Sequence, residues 1–161
     1  MSMFENDNYR WRETCFVLFD SSRRPKLAKV VKAIAALNNR FELSNPSEED
    51  GLFDSLTVVS PDDFAGLDIC YIDGAEVFEQ SAALIEDMKK LGADSPPPVP
   101  WEQIKRYDAR FDVLHFERVS EDDALEDEML DPSTLLMVLA ALARLTGGVA
   151  IDPQAGTFLS E

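Results

Sequence analysis

The chain has 161 residues and a mass of 18.0 kDa, with 31 acidic against 15 basic side chains and a formal net charge of −16. With 45% hydrophobic residues, and roughly 70% of the unfolded surface buried at this length, a core forms without a metal or disulfide staple, which excludes whole-chain disorder. The charge disfavours nucleic acid and anionic membranes as partners, because their phosphates would be repelled.

Residues 1–11 read as a flexible N-terminus. Glu5 and Asp7 stand where a signal peptide needs a basic patch followed by an apolar run. The longest apolar stretch, Leu135 to Ala143, is far short of the roughly 20 residues that span a bilayer. No membrane span and a cytoplasmic location are expected. Cys15 and Cys70 lie in apolar segments outside any CxxC or Cys/His cluster, so they are read as buried free thiols.

Residues 12–19 end in a β-prone apolar run and predict a strand, closed by Asp20-Ser21-Ser22. Over residues 23–38, Leu27, Val30, Val31, Ile34 and Leu37 recur at helical spacing, with Pro25 tolerated in the first turn. Residues 41–43 predict a short extended piece, and Asn45 to Gly51 (NPSEEDG) a loop. Leu56 to Val59 and Leu67 to Ile72 predict two antiparallel strands joined by a short connection. Asp73 with Glu76 forms a capping-box-like start for a helix whose Phe78, Ala82, Ile85 and Met88 share a face; Lys89, Lys90 and Gly92 close it.

Residues 93–100 (ADSPPPVP) read as a stiff polyproline connector, and Trp101 to Tyr107 as a short helix. Phe111 to Val119 predicts a strand with apolar groups on both faces, hence central in a sheet. Residues 120–131 form an acidic loop, with seven acids among the last eleven positions. Asp131-Pro132 caps the most apolar helix, Ser133 to Thr146, expected to be buried on several sides and ended by Gly147-Gly148. Val149–Asp152 and Thr157–Leu159 predict a C-terminal hairpin.

The reading is a single α+β domain over residues 1–161: a mainly antiparallel sheet of five or six strands with two or three helices packed on one face. Its opening βαββαβ run, residues 12–119, resembles the ferredoxin-like layout in topology, a superfold that hosts unrelated chemistries.

His115 is the only histidine. It shares a strand face with Phe111 and Val113, which predicts a hydrogen-bonded core histidine. Serines such as Ser55, Ser60 and Ser120 are not set in a GxSxG elbow, and no phosphate-loop, zinc-protease or calcium-loop spacing occurs. No catalytic residue, metal or cofactor is assigned. The acid run lacks the alternating ligands and central glycine of a calcium loop. Glu121, Asp122, Asp123, Glu126, Asp127 and Glu128 are read as a docking surface for a basic protein.

The charge is polarised. Residues 1–40 hold eight basic and four acidic side chains, and the remainder seven and 27. Lys26, Lys29 and Lys32 fall opposite Leu27, Val31 and Ile34, making a cationic helix stripe. At the preceding junction Ser21, Ser22, Arg23, Arg24 and Lys26 bring hydroxyls, backbone N–H groups and cations together, a candidate anion site. Three functions follow in order. The first is a non-enzymatic interaction protein with an acidic body for a basic partner, of inhibitor, immunity or accessory type. The second is a small-molecule or anion-binding domain, with an enzyme using that junction and Asp73 as its variant. The third is a homodimer buried through the apolar helix.

Overall fold

The segment with apolar side chains on both faces lies at the middle of a seven-stranded sheet in the computed structural model, which describes residues 9–61, 65–90, 97–118 and 133–159. The strands are β1 (Tyr9–Phe19), β2 (Glu42–Glu49), β3 (Leu52–Ser60), β4 (Ala65–Asp73), β5 (Ala109–Arg118), β6 (Val149–Asp152) and β7 (Thr157–Phe158). The helices are α1 (Leu27–Ala35), α2 (Ala75–Lys90), α3 (Trp101–Ile104) and α4 (Ser133–Thr146). Strand order is β2-β3-β4-β5-β1-β6-β7, and every neighbouring pair is antiparallel. The α+β class and the antiparallel sheet thus hold, with a larger sheet than expected.

The extra strand is β2. Its sequence ELSNPSEE looks like a loop because almost every side chain is exposed; the strand is held by its pairing to β3 and not by burial. It is an edge strand, where Pro46 is tolerated beside the bulge between Ser44 and Ser47, and Asn45 takes the left-handed backbone there, φ 52°.

Helices cover both faces of the sheet, not one. Along β1 the side chains alternate: Cys15, Val17 and Phe19 join the cluster with Val30, Ile34, Leu135, Val138 and Leu142 of α1 and α4. Phe16 and Leu18 face the other way, with Ile85 and Met88 of α2 and Ile104 of α3. A strand that is apolar on both sides needs a layer on each. The larger core centres on Phe111, whose ring lies 4.7 Å from Phe19, 5.4 Å from Phe53 and 6.2 Å from Tyr71.

The ferredoxin-like layout expected over residues 12–119 does not match the strand order. There β5 pairs with both β4 and β1, so α2 links adjacent antiparallel strands instead of bridging a strand inserted between them. The start of α2 also differs in detail. The helix begins after Gly74, and the Asp73 carboxylate accepts from the Tyr71 hydroxyl at 2.8 Å instead of capping it.

This topology decides where a site can form. Phe19 pairs with Ala109, Asp73 with Ala109, and Leu18 with Val149. The end of β1, the start of β5 and the start of β6 therefore meet at one end of the sheet, where α3 and the α4–β6 turn also arrive.

Candidate functional site

The residues after β1 form a 3-10 turn, Ser21–Arg23, because the Asp20 carboxylate accepts from the Ser22 N–H at 2.9 Å. These hydrogen bonds, with the neighbouring Arg23 charge, hold the Asp20 carboxyl below its usual range. Ser21 donates its N–H and its hydroxyl to the two oxygens of Asp108, at 2.8 and 2.9 Å. The junction does hold a carboxylate, as its donors suggest, but the chain itself supplies it.

Arg24 is turned inward. Its Nε donates to the Phe53 carbonyl at 2.9 Å, its guanidinium lies 4.0 Å from the Tyr71 ring centroid, and it reaches Glu49 at 3.3 Å. Lys26 is exposed at the N-cap of α1. The first turn of that helix is satisfied by Leu27 N–H donating to the Gly51 carbonyl at 3.0 Å. Lys29 and Lys32 are exposed as the helical spacing requires, while Val30 and Ile34 are buried.

Arg23 alone of the five junction residues combines exposure with a cleft. This cleft, about 470 Å³, is lined by Asp20, Arg23, Pro100, Glu102, Gln103, Arg106, Tyr107, Thr146 and Gly147. Three short segments build it. In the α3 segment Ile104 and Tyr107 are buried and Trp101 packs 5.5 Å from Phe158, which leaves Glu102, Gln103 and Arg106 on the exposed side. Gln103 Nε2 donates to the Tyr107 hydroxyl at 3.0 Å, and that hydroxyl donates to the Gly147 carbonyl at 3.3 Å.

The third segment is the end of α4. Gly148 N–H donates to the Ala143 carbonyl at 3.1 Å with Gly147 at φ 67°, a helix-ending Schellman turn. The Arg23 guanidinium rests against Gly147, where an added Cβ would meet its Cζ at 3.3 Å. Neither the Arg23 nor the Arg106 guanidinium has an ion pair or hydrogen bond to the described residues.

Of the expected site, the structure thus brings Arg23 into a cleft and spends Ser21, Ser22 and Arg24 on internal contacts. Arg106, Tyr107, Asp108 and Gly147 are additions that sequence reading missed. The available signal was the β1–β5 pairing itself, since two central strands in register set residues 20–21 beside residue 108. Glu121, Asp122, Asp123, Glu126, Asp127 and Glu128 lie outside the described residues.

Elsewhere, the histidine and one cysteine are buried and the other cysteine is partly buried. His115 is 1% exposed and, contrary to the expectation of a satisfied imidazole, neither ring nitrogen has a hydrogen-bond partner among the described residues. Burial, with the nearby Arg12 charge, pushes its pKa down to about 4. Cys15 is buried and its thiol is pushed up to about 12 by that burial and by the charges of Asp152 and Glu13. Cys70 shifts in the same direction, chiefly by burial. Both are free thiols. Among the described residues no cluster of His, Cys, Asp and Glu is arranged to hold a metal, and no helix is long and apolar enough to cross a membrane.

The fold is that of an α+β protein with a seven-stranded antiparallel sheet sandwiched between helices, and the site is an open cleft of mixed charge at one sheet end. No protein family matches the chain, and no curated protein or solved structure matches it either.

Proposed function

We propose that this chain is a non-enzymatic binding protein whose cleft at the end of β1 receives the anionic group, a carboxylate or a phosphate, of a small ligand. The observation that carries the reading is that Arg23 and Arg106, from separate segments, line one cleft without an ion partner among the described residues. In a chain with 31 acids for 15 bases, acidic partners for an arginine are plentiful, so two guanidinium groups in one concave place with no ion pair among the described residues are groups kept for a ligand. Guanidinium matches either anion through paired N–H donors. The size of the cleft is in the range of small-molecule sites, roughly 300–1,000 Å³. The non-enzymatic part of the reading is supported by the enclosure of His115 and Cys15.

Titration with sodium acetate and with sodium phosphate, following backbone amide signals, tests it. Shifts are expected at Arg23, Arg106 and Gly147, and their loss in the Arg23→Gln/Arg106→Gln double variant. Unchanged signals at about 10 mM of both anions, a concentration that detects even feeble affinity, overturn the reading.

A second reading rests on charge. Residues 41–88 contain thirteen acids and no basic side chain, and Glu42, Glu48, Asp50, Glu76 and Glu79 among them are exposed. Such a charge distribution steers a basic protein toward the exposed carboxylates of β2 and α2. Capture of a lysine-rich protein that is abolished by added salt supports it, and the absence of any salt-sensitive basic partner contradicts it.

A further inference from the structure

The cleft is not cationic overall. Asp20 and Glu102 line it together with Arg23 and Arg106, so its ionised groups sum to zero. None of the four is within salt-bridge distance of another. Glu102 and Arg106 are four residues apart, a spacing at which a continuous helix would pair them. The helix ends at Ile104 and the chain turns through Lys105, so the two side chains stay separate. The Asp20 carboxylate accepts from Ser22 N–H at Oδ1, and the Ser22 hydroxyl and the Arg23 charge act on it as well.

A simple anion in this space gains two guanidinium groups and meets two carboxylates at the same time. At separations of about 4–6 Å an opposing charge cancels much of the gain. A ligand that carries one charge of each sign satisfies both pairs.

Resting on the anion-binding reading, we propose that the natural ligand is amphoteric: its carboxylate or phosphate meets Arg23 and Arg106, and a primary amine at its other end meets Glu102 and Asp20. Free amino acids and short peptides belong to this class. The Gln103 side-chain amide, whose Nε2 donates to the Tyr107 hydroxyl, also lines the cleft.

Calorimetric titration of the full chain with three probes of one length, hexanoate, hexylammonium and 6-aminohexanoate, with diglycine as a shorter amphoteric probe, separates the possibilities. The expected result is that an amphoteric probe binds at least about tenfold tighter than hexanoate. Glu102→Gln is expected to remove that advantage from both sides, weakening the amphoteric probes and tightening hexanoate, because the carboxylate that meets the amine and opposes a simple anion is gone. If hexanoate binds as tightly as both amphoteric probes and Glu102→Gln alters neither, the amphoteric assignment fails and anion binding stands. If none of the four produces heat or amide shifts at about 10 mM, both fall.

Discussion

Ser21 donates twice to Asp108, through N–H and hydroxyl, and so ties the end of β1 to the start of β5. Hydrogen bonds to a charged acceptor are worth more than neutral ones. Asp108→Ala is expected to cost about 1–3 kcal/mol in urea unfolding, and Ser21→Ala, which keeps the N–H bond, less. His115 gives a pH dependence of definite sign. Its imidazole takes a proton near 6.5 in the unfolded chain and only near 4 in the fold. Between those values the unfolded state holds more protons, so stability falls as pH drops through this window, by about 3 kcal/mol in all. His115→Leu removes the unpartnered nitrogens from the core; it is expected to raise stability at pH 7 and, more so, at pH 4.5. Urea midpoints of the two proteins that stay parallel from pH 7 to pH 4.5 would refute that account.

The α4–β6 turn shows how one element shapes both fold and site. A Cβ at Gly148 would lie 2.2 Å from the Leu18 carbonyl oxygen and 2.8 Å from Phe19 Cβ, so backbone must move to admit it. Gly148→Ala is therefore expected to cost about 3 kcal/mol or more, read as a lowered midpoint or loss of folded protein. Gly147→Ala is milder, about 1 kcal/mol for the left-handed backbone, but it displaces the Arg23 guanidinium and is expected to weaken acetate binding as well. The elements themselves were legible to different degrees. The helical spacing of Val30 and Ile34, the β3–β4 pair and the C-terminal hairpin each express one local pattern, and each formed. Strand β2 was hidden because an exposed edge has no apolar alternation to read. The two-faced covering was hidden because α2 and α4 carry no mark of which side of the sheet they pack on. The apolar circumference of α4 predicts burial on several sides; Leu135, Val138, Leu139 and Leu142 are buried, while Leu136 and Met137 remain exposed.

At the scale of the molecule, net charge works against compactness. Repulsion among 31 acids is long-ranged at low ionic strength, where the screening length is about 30 Å at 0.01 M, and short-ranged at 1 M, about 3 Å. Sodium chloride is expected to raise the thermal midpoint over this interval; a falling midpoint would mean that ion pairs such as Lys105–Glu86 and Arg110–Asp112 dominate. The candidate site was half legible for the same reason that the whole is more than its elements. Arg23 stood out as a cation beside a helix start, but Arg106 and Glu102 come from a segment about eighty positions away. Only the pairing of β1 with β5, which the sheet sets, brings them to the same cleft.

The proposed site requires that Arg23 and Arg106 hold one anionic group between them. Following the side-chain Nε–Hε signals of the arginines during titration with 6-aminohexanoate tests this most directly. The Arg23 and Arg106 signals are expected to move together, with one dissociation constant, while that of Arg24, committed to Phe53 and Tyr71, stays in place. Movement of neither cleft arginine, or of the two with different constants, would contradict it.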